Sequence, residues 1–309
     1  FDKSAIPDGW IWQDIGNYYG AGAWGINWKE NQYDLELSSG NDVHGQVSVK
    51  SNSYHGTRSG SYINQLSAGE KGSGDNAYIY LPYDDTSFLL AGTIPVGEPH
   101  FIISGAATSG PDFFVNECRR FLYNEKLMTH PGAVPYHAQL LPTDISNIVY
   151  THISPALDSI NYWFLKKSIN LYGEAIAKTL AKEKLGYGST ENGVAVIKNF
   201  WKEKGIESSA LNIMDGSGLS PQNRVTADAL VKALQYARTR DWYASFFNAL
   251  PEYNGIKMKS GSIGGARAYA GYHVAKNGSA YTFAIIVNNF DGAPSDVIKK
   301  MFIVLDNLK

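Results

Sequence analysis

The sequence predicts an α+β chain in two parts, a mostly β module over residues 1–149 and a mixed helix-and-strand region over 150–309. Three observations carry that expectation. Short alternating runs broken by Gly, Ser and Asn fill the first part. Helical spacing with recognisable caps takes over from about residue 150, and the chain closes on a strand hairpin followed by an amphipathic helix.

In the first part, His44–Lys50 and Ala77–Leu81 alternate, and Pro99–Ser104 is a short apolar run. Ser39-Gly-Asn41 and Gly72-Ser-Gly-Asp75 supply turn signals between them. Asp112–Tyr123 repeats its apolar residues at three and four, which predicts a helix. In the second part, Asn170–Lys184 and Asn192–Glu203 read as helices. Thr226 is placed to cap a third, Ala227–Arg240, whose Leu230, Ala233, Leu234 and Ala237 share a face. Arg267–Ala275 and Ala280–Asn288 favour strand and are joined through Asn277-Gly278, a hairpin signal because both residues tolerate positive φ. Pro294 suits the first turn of a last helix. Its stripe of Val297, Ile298, Met301, Phe302, Leu305 and Leu308 should pack on the hairpin's sheet.

Composition narrows the function classes. With 27 basic against 29 acidic side chains and a net charge of -2, the chain lacks the basic excess of a nucleic-acid binder. No run of about 18 apolar residues is present, so no transmembrane segment is expected. The single cysteine, Cys118, has no partner for a disulfide or a CxxC site and reads as a small buried side chain. The chain begins at Phe1 without a basic-then-apolar leader, which implies a removed leader or a piece of something longer.

Several signals fall away. Gly20-Ala-Gly-Ala-Trp-Gly25 matches GxGxxG but lacks the preceding strand and following helix of a dinucleotide loop; close backbone packing beside aromatics fits better. No GxSxG, HExxH or zinc-spaced Cys/His cluster occurs, and Asp84-Asp85 sits in a turn-like context.

Two short motifs remain. Lys259-Ser260-Gly261-Ser262 precedes the hairpin and is the one Lys-[Ser/Thr]-Gly of the chain. Ser168-Ile-Asn170 and Ser159-Ile-Asn161 are Ser-x-Asn triplets nine residues apart, which on a single helix puts them on opposite faces. Taken alone, Ser168 also suits the N-cap of the Asn170 helix.

Together with their surroundings, these motifs become specific. Thr151-His-Ile-Ser-Pro-Ala-Leu157, then Lys167-Ser-Ile-Asn-Leu-Tyr-Gly-Glu174, resembles the class C low-molecular-mass penicillin-binding proteins of the D-Ala-D-Ala carboxypeptidase/endopeptidase family, peptidase family S13. Asp215-Gly-Ser-Gly-Leu-Ser220 with Asn223 matches a second signature of that family, and Lys259–Ser262 with Gly271-Tyr272 a third, with Ser for the commoner Thr. Gly9–Asp14 with Tyr19-Gly20 is similar to its inserted domain. The resemblance implies a penicillin-binding/β-lactamase-like transpeptidase domain, an antiparallel sheet with helices, plus a mostly β inserted domain. It implies cell-wall location outside the cytoplasm, in the periplasm or its equivalent, a peptidoglycan peptide or β-lactam as ligand, and neither metal nor cofactor.

The same resemblance assigns roles. Ser168 relays a proton, Asn170 binds the substrate amide, and Lys259 provides positive potential beside the terminal carboxylate. Ser260 offers that group a hydroxyl, and the Ser262 amide, following Gly261, forms half of an oxyanion hole. For Asp215 and Ser217, substrate contact and a self-satisfied Gly-rich turn both stand. The chemistry also needs Ser-x-x-Lys. No serine here has a lysine three residues on, and Thr179-Leu-Ala-Lys182 follows the Ser-x-Asn element instead of preceding it. The nucleophile is therefore expected in an N-terminal segment outside this chain, which should cover an apolar sheet edge beside the hairpin. The alternative is a cell-wall-peptide-binding pseudoenzyme. One departure from the family pattern is the short Glu252-Tyr-Asn-Gly255 link ahead of Lys259, where a longer hairpin is expected.

Overall fold

The computed structural model describes residues 1–54, 61–82, 87–130 and 150–309, so the Asp84-Asp85 pair lies outside the described residues. The chain forms two compact units, Phe1–His152 and Ile153–Lys309.

Among its described residues the first unit carries a short helix α1 (Trp12–Ile15), six strands and the helix α2 (Gly110–Asn124). Strand β1 (Gln32–Ser38) lies between β2 (Ser48–Asn52) and β6 (Phe101–Ala106), antiparallel to both. A second sheet sets β5 (Phe88–Pro95) between β3 (Tyr62–Gly69), parallel to it, and β4 (Asn76–Tyr80), antiparallel. Tyr33, Leu35 and Leu37 alternate inward from β1 and meet Phe88, Leu90, Ile79 and Phe113 in one core. Helix α2 begins where Ser109 accepts the Asp112 N–H at 3.2 Å. The glycine-rich run at 20–25 holds no strand-loop-helix, and a Cβ on Gly20 would lie 2.1 Å from the Asp14 carbonyl oxygen. That glycine serves close packing. Cys118 is half-buried, short of the fully buried position expected, because its turn of α2 faces partly outward.

The second unit starts with α3 (Leu157–Lys167), α4 (Asn170–Leu185) and α5 (Thr190–Glu203). Helices α4 and α5 cross closely at Gly193, where a Cβ would sit 2.3 Å from the Ala177 carbonyl oxygen. A two-stranded ribbon of β7 (Leu211–Asn212) and β8 (Arg224–Val225) follows, then α6 (Ala227–Arg238) and α7 (Tyr243–Ala249). The Thr226 hydroxyl accepts the Ala229 N–H at 3.1 Å, the cap its sequence position predicts.

A four-stranded antiparallel sheet completes the unit, in the order β12 (Ala280–Asn288), β11 (Ala266–Val274), β10 (Ile256–Ile263), β9 (Glu252–Tyr253). Helix α8 (Pro294–Asp306) lays Met301 and Leu305 on Ile256, Met258 and Tyr269, with Val297, Phe302 and Leu308 around them. These residues belong to the expected stripe. Among the described residues β12 pairs with β11 alone, so its outer edge has no strand partner.

Two turns differ from expectation. Ala275 and Ser279 close the β11–β12 hairpin around three residues, and of Asn277-Gly278 only Gly278 has positive φ (86°). The extra residue makes this a type I turn followed by a left-handed glycine. The short link before β10 is itself a hairpin: Tyr253 pairs with Ile256 across Asn254 (φ 50°) and Gly255 (φ 70°), the two-residue turn with both centres left-handed.

Candidate active site

Three pieces place the candidate site residues of the second unit: the α3–α4 corner, the 213–223 loop, and β10. At the corner, Lys167 ends α3 and Asn170 begins α4. Ser168 sits between them with φ 57° and ψ 46°. Left-handed backbone costs a non-glycine residue about 1 kcal/mol and marks a position held by its surroundings. The capping role open to Ser168 in sequence is absent: the N-cap of α4 is Ile169, with no side-chain cap. The Ser168 hydroxyl instead accepts from Lys259 Nζ at 2.8 Å, across 91 residues of chain. Ser159 and Asn161 lie within α3, apart from this corner.

Lys259 projects from β10 and is half-buried. Its ammonium also donates to the Ser260 carbonyl at 2.9 Å, and burial holds its pKa below the usual lysine value. Alternation along β10 sends Ile256 and Met258 into the α8 core and places Lys259 on the other face. Ser260 shares the Met258 face, where its hydroxyl donates to the Tyr253 hydroxyl at 3.2 Å. The structure thus brings Ser168 and Lys259 together, while the Ser260 hydroxyl turns to Tyr253. Asn170, half-buried at the first position of α4, stands two residues from Ser168.

Beyond Ser260, β10 runs into a cleft of about 870 Å³. Gly261 and Ser262 line it together with Asp215, Gly216, Ser217 and Gly218. Apolar side chains line it as well, Trp201, Ile213, Leu230 and Ile286 among them. A mainly apolar lining with a few polar groups is the usual make-up of a small-molecule or peptide site.

The 213–223 loop is held in part by its own side chains. Asp215 is buried; its Oδ1 accepts from the Gly218 amide at 2.6 Å and from Asn223 Nδ2 at 2.9 Å, and its Oδ2 from the Ser220 amide at 2.7 Å. Asn223 in turn accepts the Met214 N–H at 2.7 Å, and Ser217 Oγ accepts the Leu219 N–H at 3.2 Å. Of the two readings open for Asp215 and Ser217, the turn is observed directly. Ser217 also faces the cleft.

The sequence reading passed over Glu174 as a site residue, although it closes the Ser-x-Asn signature. Its side chain is fully buried, and Oε1 accepts the Gly216 and Ser217 amides at 2.9 and 2.8 Å. A glutamate one turn into a helix is ordinarily solvent-facing, so no local signal marks this one. Thr179, in the motif imitation within α4, bonds its own helix through the Ala175 carbonyl at 2.7 Å. Among the described residues no cluster of three His, Cys, Asp or Glu is gathered that could hold a metal ion.

Residues 1–252 match the model of the D-Ala-D-Ala carboxypeptidase 3 (S13) family; the match ends seven residues before Lys259. The chain is 25% identical over 259 residues to a D-alanyl-D-alanine carboxypeptidase of Actinomadura sp. (strain R39), covering 74% of this chain and 46% of that protein. It is 26% identical over 183 residues to carboxypeptidase DacB of Mycolicibacterium smegmatis, covering 51% and 40%. The chain therefore spans less than half the length of the curated relatives it matches. In structure it resembles penicillin binding protein 4 (dacB) from Haemophilus influenzae, with a TM-score of 0.71 at 16% identity over 98% of this chain and 73% of that one. A complex of that protein with a β-lactam gives 0.69 at 16% identity, over 92% and 70%. This likeness shows the fold: penicillin-binding/β-lactamase-like, with mixed helices and sheets.

Proposed function

Because the chain belongs to the D-Ala-D-Ala carboxypeptidase 3 (S13) family, we propose that it forms the non-nucleophile part of a serine-type D-Ala-D-Ala carboxypeptidase or DD-endopeptidase. Its substrates are peptidoglycan stem peptides, cleaved through an acyl-enzyme, and β-lactams acylate the same nucleophile. The observation that carries this reading is the Lys259–Ser168 hydrogen bond, on the strand whose Gly261 and Ser262 line the cleft.

Chemistry follows from that bond. Ser168 Oγ accepts from the ammonium, so its own O–H is free to point at a ligand. When the nucleophile's oxygen attacks the penultimate D-Ala carbonyl, the C–N bond breaks and the leaving amine needs a proton. Ser168 supplies it and is replenished from Lys259, whose depressed pKa makes that transfer easier. Lys259 also sets positive potential where the terminal carboxylate lies, and Asn170 takes the substrate amide. The Ser262 N–H serves as one oxyanion donor, with the nucleophile's own N–H as the other. Ser260, bonded to Tyr253, fixes the strand and releases its hydroxyl to the carboxylate when substrate arrives.

The nucleophile and its lysine come from an N-terminal segment of the same protein, and the open edge of β12 is where that segment pairs. The protein works outside the cytoplasm; no described helix is long and apolar enough to cross a membrane. A second reading has one observation in its favour: no serine among the 309 residues is followed by lysine at the third position. A pseudoenzyme of that kind binds the same peptides without cleaving them. Calorimetry with a D-Ala-D-Ala peptide and its L-Ala-L-Ala counterpart tests both. Binding of the D,D peptide alone is expected, and its loss in Lys259→Met ties it to this site. Equal affinity for both peptides, or none for either, overturns the reading.

A further inference from the structure

Glu174 does something in this site that the family motifs leave unexplained. It is fully buried one turn into α4, although burial strongly disfavours a carboxylate. Both backbone N–H groups at the apex of the 215–218 turn, those of Gly216 and Ser217, converge on its Oε1. Thr190 Oγ1 donates to Oε2 at 3.3 Å from the start of α5. Burial, reinforced by the nearby Asp215, pushes its pKa up to about 7 against the pull of hydrogen bonds from the Ser217 hydroxyl and the two amides. Helix and turn also touch through bare backbone. A Cβ on Gly173 would lie 2.6 Å from the Gly216 carbonyl oxygen, and one on Gly216 2.4 Å from that of Gly173. The turn so held lines the cleft beside Gly261 and Ser262.

We propose that Glu174 is a positioning residue of this site: its carboxylate anchors the 215–218 turn to α4, sets where Ser217 and Gly218 stand in the cleft, and so governs how tightly a D-Ala-D-Ala peptide is held. The peptide half of this inference rests on the proposed function; the anchoring half does not. Asp215 in the turn and the buried Lys178, one turn further along α4, are the charged groups that share its surroundings, and α5 adds the Thr190 hydroxyl.

The test pairs amide NMR of the 309-residue chain with calorimetry of a D-Ala-D-Ala peptide. In wild type the Gly216 and Ser217 amide shifts should move together with one midpoint, well above the ordinary carboxylate range. Glu174→Gln keeps an oxygen for both N–H groups, so it should abolish that shared titration and leave peptide affinity within about threefold. Glu174→Met keeps the volume but removes the acceptor. It should speed exchange of both amides by at least about tenfold and weaken the peptide by a similar factor. Amides that titrate separately, or a Glu174→Met protein with wild-type exchange and affinity, would overturn the inference. Should Glu174→Met fail to fold, the wild-type and Glu174→Gln titrations decide it alone. A wild type with the shared titration but no affinity for the peptide refutes the proposed function and leaves the anchoring standing.

Discussion

The Lys259–Ser168 bond has an energy that can be read without any catalytic assay. Lys259→Met keeps the length of the side chain and removes the ammonium; Ser168→Ala removes the acceptor. A hydrogen bond to a charged group contributes about 1.5–3 kcal/mol net. Ser168 is exposed and Lys259 half-buried, so solvent screening brings the pair below that range, to about 1 kcal/mol. Neither single variant shows this cleanly, because Lys259→Met also relieves the burial that depresses the lysine pKa. A double-mutant cycle isolates it. In urea denaturation at pH 7 with unchanged slopes, the double variant should be more stable than the sum of the singles predicts by about 1 kcal/mol. Additivity within about 0.3 kcal/mol would show that the two side chains do not interact and remove the basis of the proton relay. The same lysine fixes the sign of an alkaline effect. Its folded pKa lies below 10.5, so the unfolded chain holds the proton to higher pH. Stability should therefore rise with pH from the folded value toward 10.5, and Lys259→Met should abolish the rise.

Glu174 predicts the opposite slope on the acid side. Its folded pKa of about 7 exceeds the ordinary 4.5, so its contribution is full below 4.5 and is lost as pH rises through 7. Roughly 3 kcal/mol is at stake, and Glu174→Gln should flatten thermal-melt profiles over that window. Gly216→Ala drives a Cβ to 2.4 Å from the Gly173 carbonyl oxygen and should destabilise by about 1–3 kcal/mol, whereas Gly186→Ala, at a helix end with open space around it, should cost less. Ser168→Gly relieves the left-handed backbone that Ser168→Ala retains, so the glycine variant should be the more stable by about 1 kcal/mol in urea curves. Thr226→Ala removes the cap of α6 and should cost about 1 kcal/mol by the same measure.

What the residues disclosed in advance was whatever local physics decides. The Thr226 cap, Pro294 at the start of α8 and the stripe through Met301 and Leu305 follow from helix chemistry alone. What they concealed was decided by distant partners. Ser168 has the chemistry of an N-cap, yet the hydroxyl is drawn to Lys259 and the backbone takes a left-handed state to deliver it. Asn254-Gly255 and Asn277-Gly278 are the same dipeptide; the first makes the two-residue turn and the second sits in a longer loop, because strand register outranks the turn signal. Strand β1 alternates Tyr33, Leu35 and Leu37 inward with Asp34 and Glu36 between them, a pattern the sequence analysis does not single out. The parallel pairing of β3 with β5 has no local signature at all. Glu174 is the sharpest case, since only the fold reveals that its helix face meets a glycine turn instead of water.

The central claim is that residues 1–309 complete a serine acyl-transfer site whose nucleophile lies elsewhere in the same protein. Intact-mass spectrometry of the protein purified from its source, with and without a β-lactam and followed by peptide mapping, tests it most directly. The expected result is a gain of the drug's mass on a serine outside these 309 residues, and no gain on this chain expressed alone. An adduct on a residue within the chain, Ser168 or Thr179 for example, would contradict it, and a preparation that is never acylated would leave a binding protein in place of an enzyme.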